Sequence, residues 1–206
     1  MKKFELTTEF ITNFLGTKLF RIKALVEFGK VEKGELGGFV EKEENLDHDG
    51  DAWVSGDAMV YGNARVSGNA EVYGDAEVYG DAEVYGNARV YGDAMVYGNA
   101  RVSGNARVYG NAWVYGNARV SGDAWVSGDQ MYAAVKGFGS EYRNTTFFIT
   151  KDGNVCVNCG CFSGTLEQFR EKVEETHKDT KYAKEYLMIA DLMEMHFKEE
   201  LEKIKK

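Results

Sequence analysis

The stretch Gly50-Asp51-Ala52-Trp53-Val54-Ser55 is the first of thirteen consecutive copies of Gly-[Asp/Asn]-Ala-x-Val-[Tyr/Ser]. The last copy is Gly122-Asp123-Ala124-Trp125-Val126-Ser127, and no insertion interrupts the series. Ala and Val lie two residues apart in each copy, so both point to one side of an extended strand, while x and the Tyr/Ser position point to the other. Gly followed by Asp or Asn marks a turn, because these residues tolerate the left-handed backbone region at low cost. Each hexapeptide therefore reads as a short strand and a corner. Such strands cannot bury their Val faces alone, but coiling the chain so that each stacks on the one a full turn earlier closes a continuous core.

The pattern resembles the hexapeptide-repeat family of left-handed β-helices, in which three hexapeptides make one triangular coil. The resemblance implies a mainly β fold, a left-handed triangular parallel β-helix of about four coils spanning residues 50–130. Its interior would be Val54 and every sixth residue to Val126, with Ala52 and every sixth residue to Ala124. Each buried Val contributes roughly 1.5–3 kcal/mol before chain entropy is charged. No interior position is polar, so recognition falls to faces, corners or ends.

Outward side chains of such a coil stack in columns, and the three faces differ. Face one carries Trp53, Glu71, Arg89, Arg107 and Trp125 with Tyr73, Tyr91 and Tyr109. Face two carries Met59, Glu77, Met95 and Trp113 beside the ladder Tyr61, Tyr79, Tyr97, Tyr115. Face three, with Arg65, Glu83, Arg101 and Arg119, reads as ordinary solvated surface. Tyr, Met and Trp are enriched at protein interfaces, so Met59, Tyr61, Tyr79, Met95, Tyr97, Trp113 and Tyr115 form the expected interface of a homo-oligomer. The competing reading is that Tyr simply favours strands and stacks on itself, or that the end modules cover this face. On face one, Trp53, Arg89, Tyr91, Arg107, Tyr109 and Trp125 combine stacking planes with guanidinium forks, as a small nucleotide-like ligand requires. Against that stands a solvated surface in which Glu71 pairs with Arg89. The corner column Asp57, Asp75, Asp93, Asn111 reads as structural, each side chain capping its own turn.

Residues 1–49 read as an N-terminal β cap, with strands near Lys3–Leu6 and Leu19–Val26 around a turn near Gly16, and with Val40 and Leu46 directed inward in an irregular first coil. Residues 131–206 read as a C-terminal α+β cap. It contains a hairpin of Thr145–Thr150 and Val155–Cys159 turning at Asp152-Gly153, a helix over 166–177 with a Thr165/Gln168 capping box, and a second helix over 181–204. The second helix places Tyr186, Ile189, Met193, Phe197, Leu201 and Ile204 on one stripe, and the helices are an alternative dimerisation surface.

The chain has 206 residues, 44% of them hydrophobic and 28% charged, with 24 Gly and no Pro, which excludes disorder and collagen. No run of about 18 apolar residues is present to span a bilayer, and the start MKKFELTTEF lacks the apolar stretch of a secretory signal. The three cysteines, Cys156, Cys159 and Cys161, fit a reducing, cytoplasmic compartment better than a disulfide framework. Their C-x-x-C-x-C spacing, with His177 or His196 as a fourth ligand, is weak as a zinc signal, since one hairpin edge sends the thiols to different faces; no metal and no cofactor are expected. A net charge of −8 argues against duplex nucleic acid, and the repeat has five Arg against three Glu and six Asp with no Lys.

Many hexapeptide-family proteins are acyltransferases that use a His base between subunits and a loop projecting from the coils. This sequence has neither inside the repeat, and His48, just before it, sits in Asp47-His48-Asp49. Arg21–Leu25, Gly34–Glu41, the near-perfect repeat and Gly160–Thr165 together are similar to hexapeptide-repeat proteins encoded in phage and prophage genomes. That likeness implies context: a non-enzymatic binding protein in the host cytoplasm, inhibiting a host process such as immune defence by binding a host protein or sequestering a nucleotide signal. The alternatives are an acyltransferase with an inter-subunit site at His48, and a structural phage component.

Overall fold

The computed structural model describes residues 2–204. The thirteen repeats form three parallel sheets that share one core. Trp53, Glu71, Arg89, Arg107 and Trp125 stand in register on the first face, Met59, Glu77, Met95 and Trp113 on the second, and Arg65, Glu83, Arg101 and Arg119 on the third. The stacked partners are 18 residues apart, as in Trp53↔Glu71. Every repeat Val from Val54 to Val126 has no exposed surface, and the Ala column is equally buried. The interior is a filled prism. The corners depend on glycine: at Gly80 φ is +74°, and a Cβ would lie 3.0 Å from the Gly98 nitrogen one coil on. A side chain there would clash with backbone as well as strain its own.

The β-solenoid has about five turns, where the sequence suggested about four coils. The extra turn comes from residues before the repeat. Strand β3 (Leu36–Val40) pairs in parallel with the first face-two strand through Phe39↔Met59 and Val40↔Val60, and Leu46 bridges Val66. Here the step to the next coil is 20 residues at both Val40 and Leu46 and returns to 18 at Trp53, so the two additional residues lie between Leu46 and Trp53. Val40 and Leu46 point inward and are buried.

Strands β1 (Phe4–Thr12) and β2 (Lys18–Ala24) form an antiparallel hairpin that continues the face-two sheet beyond β3. Phe4, Ile22 and Ala24 join the prism core, whereas Leu19 and Ile11 pack outside it on Phe39, Met59, Tyr61 and Tyr79. At the far end a four-stranded antiparallel sheet, Tyr132–Val135, Thr145–Ile149, Val155–Cys159 and Phe162–Thr165, lies against the last coil. Helix α1 (Leu166–His177) starts at a complete capping box: Thr165 Oγ1 accepts the Gln168 amide and Gln168 Oε1 accepts the Thr165 amide. Helix α2 (Lys181–Ile204) buries Tyr186, Ile189, Met193 and Phe197, with Leu201 and Ile204 partly covered. No helix of the described residues is long and apolar enough to cross a membrane.

Candidate functional site

The repeat spacing brings the outward tyrosines into two columns of nearly parallel rings. On face two the ring centroids of Tyr61, Tyr79, Tyr97 and Tyr115 follow at 4.9, 5.0 and 5.4 Å. On face one Tyr73, Tyr91 and Tyr109 follow at 4.8 and 5.0 Å, with Trp125 tilted against Tyr109 at 6.2 Å. Rings stacked at strand spacing hide their planes from everything but one another, so each column offers ring edges and a row of hydroxyls. Partial burial pushes the Tyr73, Tyr79, Tyr97 and Tyr109 hydroxyls above the usual phenol range, and neighbouring tyrosines add to the shift. They remain protonated hydrogen-bond donors at neutral pH.

The face-two group stands in one column, but its members differ in exposure. Tyr61 is only 4% exposed beneath the hairpin and donates from its hydroxyl to Glu77 at 2.9 Å. Met59, Tyr79, Met95 and Tyr97 are half-buried, and of this group only Trp113 and Tyr115, at the opposite end of the face, are exposed, at 46% and 50%. The chain therefore covers one end of this face with its own residues.

On face one, Trp53 lies under the loop after β2, edge-on to Phe28 at 5.4 Å, and its indole nitrogen has no partner. An open cavity of about 410 Å³ adjoins it, lined by Lys30, Trp53, Glu71 and Tyr73 among others. Arg89 pairs with Glu71 at 3.3 Å, the local pairing expected of a solvated surface. Arg107 stands directly between Arg89 and Trp125 in the column, is exposed, and makes no ion pair among the described residues. Arg107, Tyr91, Tyr109 and Trp125 thus form one continuous outward strip, and Trp53 is separated from them.

His48 lines a second open cavity of about 410 Å³ with Glu43, Asp47 and Arg65. Its ring stacks on Phe4 at 4.5 Å, and Nδ1 accepts the Lys3 amide at 3.2 Å. Nε2 faces Glu43 at 3.7 Å. Of the cysteines, Cys159 accepts a hydrogen bond from Thr145 Oγ1 at 3.2 Å, burial pushes the Cys156 thiol up, and Cys161 is exposed at the turn. Among the described residues no group of three or more His, Cys, Asp or Glu is placed to hold a metal ion. The corner column of Asp57, Asp75 and Asp93 is exposed, while in the column Asn69, Asn87, Asn105, Asp123 each Asn Nδ2 donates a hydrogen bond to the Oδ1 one coil on, at 3.2, 3.1 and 3.0 Å.

Two residues with no capping role in the sequence expectations close the N-terminal end. Lys3, 3% exposed, donates from Nζ to the Gly50 and Ala52 carbonyls at 3.2 and 2.9 Å, and burial lowers its pKa against the pull of Asp47, Asp51 and Asp49. Asn45, fully buried, donates to the Gly62 and Ala64 carbonyls at 3.1 and 2.8 Å. Nothing in a lone Lys or Asn signals this role, since it depends on which carbonyls the coil leaves open.

Set against known families, residues 52–68, 60–74, 82–98, 88–102, 100–116 and 112–128 match a model described as the YdcK beta-solenoid repeat. The chain is a repeat β-helix protein. The match covers about a third of its length and lies wholly within the coils, so it bears on the prism and not on the caps. A comparison with curated proteins finds no match.

Proposed function

We propose that the chain is a non-enzymatic binding protein that works by contact along the outside of a rigid rod. The single observation that carries this reading is the face-one strip: Arg107, free of any acidic partner among the described residues, beside the Tyr91–Tyr109–Trp125 column on a fully buried Val and Ala core. A guanidinium with its donors free and aligned hydroxyls next to it suits a phosphorylated or nucleotide-like ligand, or an acidic loop of a host protein. The resemblance to phage-encoded hexapeptide-repeat proteins supports a role as an inhibitor of a host process acting in the host cytoplasm.

The test is a binding profile of the immobilised full chain against a panel of nucleotides, acyl-CoAs and host-cell extract. Specific capture of a nucleotide or a host protein, reduced at least tenfold in Arg107→Glu, is the expected result. Acyl-CoA turnover that disappears in His48→Ala would overturn it in favour of an acyltransferase. Co-purification with phage particles and no soluble ligand would overturn it in favour of a structural component.

A further inference from the structure

Helix α2 buries one side against the C-terminal sheet and α1, but its opposite side carries a second, exposed stripe. Lys181, Lys184, Met188, Leu192, Met195, Glu199 and Glu202 recur at three- and four-residue steps, which on a helix is one face. All seven are exposed, and the three apolar members markedly so: Met188 is 72%, Leu192 49% and Met195 68% exposed. The stripe is palindromic in chemistry. Lys181 and Glu202, Lys184 and Glu199, and Met188 and Met195 are each equidistant from the midpoint between Asp191 and Leu192.

The charges of this stripe are unspent. Lys181, Lys184, Glu199 and Glu202 make no ion pair among the described residues, and the Lys181 ammonium lies over the Tyr182 ring at 5.2 Å from its centroid. Their neighbours do pair: Arg170 holds both Asp191 and Glu194, at 2.9 and 2.6 Å, and Lys203 holds Glu200 at 2.6 Å. Arg170 thus neutralises the acids flanking the apolar centre and leaves the basic and acidic ends of the stripe facing outward.

We infer that the outer face of α2 is a self-association surface, taking a second copy of this chain in an antiparallel helix pair. Two-fold symmetry is the arrangement in which one patch serves both partners, each residue i meeting residue j and j meeting i. In it the partner's acidic end lies on Lys181 and Lys184, its basic end lies on Glu199 and Glu202, Met188 meets the partner's methionine at 195, and the two Leu192 side chains meet at the axis. A parallel pair would set like charges together at both ends, and an unrelated partner would have no reason to match the palindrome. The surface is small beside a permanent dimer's, so the association is expected to be reversible, on the order of micromolar, and weakened by salt. The inference does not rest on the reading of face one.

Sedimentation velocity of the full chain over a range of concentrations tests it. At low salt the expected species is a dimer of about 46 kDa, twice the 23.0 kDa chain, dissociating on dilution. Leu192→Glu should leave a monomer, as should Lys181→Glu combined with Lys184→Glu, and all these positions are exposed, so circular dichroism should be unchanged. Adding Glu199→Lys and Glu202→Lys to the lysine variant reverses every charge and should restore the dimer. A wild-type chain that stays monomeric at every concentration overturns the inference. So does a dimer that survives Leu192→Glu, or one that is lost only in Tyr79→Glu with Tyr97→Glu, which would move self-association to face two.

Discussion

The two ends of the prism solve the same problem by different means. A parallel coil leaves backbone groups unpaired on its first and last turns, and open strand edges invite polymerisation. At the N-terminal end the chain continues the ladder: Phe39 and Glu41 donate their amides to the Ala58 and Val60 carbonyls, Asp47 to Val66, and the buried Lys3 and Asn45 side chains reach the carbonyls that no strand covers. At the C-terminal end the ladder stops. The Trp113 amide donates to Asp129 Oδ1, the Arg119 amide to Thr146 Oγ1, and Asn158 Nδ2 donates to the Arg119 carbonyl, and the antiparallel sheet makes one β-bridge to the last coil among the described residues, Ala124↔Thr150. The Lys3–Ala52 and Asn45–Ala64 bonds of the N-terminal end are buried, whereas the Trp113–Asp129 bond of the C-terminal end is exposed. An identical repeat thus acquires a dry end and a wet end from what flanks it.

That difference sets the order of expected effects. Asn45→Leu should be the most damaging, because two carbonyls lose their donor where water cannot replace it; the expected loss is about 2–4 kcal/mol in urea unfolding. Lys3→Met removes a similar pair of bonds but also a desolvated ammonium, so its expected cost is smaller, about 2 kcal/mol. Thr146→Val with Asn158→Leu should cost about 1–2 kcal/mol at the C-terminal end, since both buried side chains hold the backbone of Arg119, itself an exposed residue. Equal losses from the two ends would break the comparison.

Alkaline titration sharpens it further. Burial raises the hydroxyl pKa of Tyr61 at the dry end, where the hydrogen bond to Glu77 adds to the shift, and that of Tyr132 at the wet end, pushed up to about 12. A folded-state value above the unfolded one means that the folded chain holds its protons longer. The resulting stability is fully present below about pH 10 and is lost as pH rises through the raised values. Thermal midpoints should therefore fall steadily above about pH 10. Tyr61→Phe should flatten that fall more than Tyr132→Phe, the smallest effect of the set.

The periodicity carried a great deal. Thirteen insertion-free hexapeptides force Val and Ala inward and sort the outward residues into three columns, because a constant step leaves only one way to stack. The Glu71–Arg89 pairing was legible for the same reason. The hairpin near Gly16 and the capped helix at Thr165 follow from local signals of turn and cap. Less legible was the fate of individual exposed aromatics. Trp53 and Trp125 occupy identical places in the repeat, yet Trp53 is buried under a loop that bridges Phe28 to Val31, while Trp125 remains half-open beside Tyr109. Tyr61 and Tyr115 differ in the same way, one beneath Leu19 and the other in solvent.

The sequence alone determined the prism, its filled interior and its three column chemistries, since these depend on residue spacing within a repeat that recurs unchanged. Only the tertiary structure decided which columns stay open, which backbone groups are sealed by Lys3 and Asn45, and which face of α2 is left unpaired. Those outcomes depend on where non-repeating segments, far away in the chain, come to rest on a surface, and no local pattern encodes that distance.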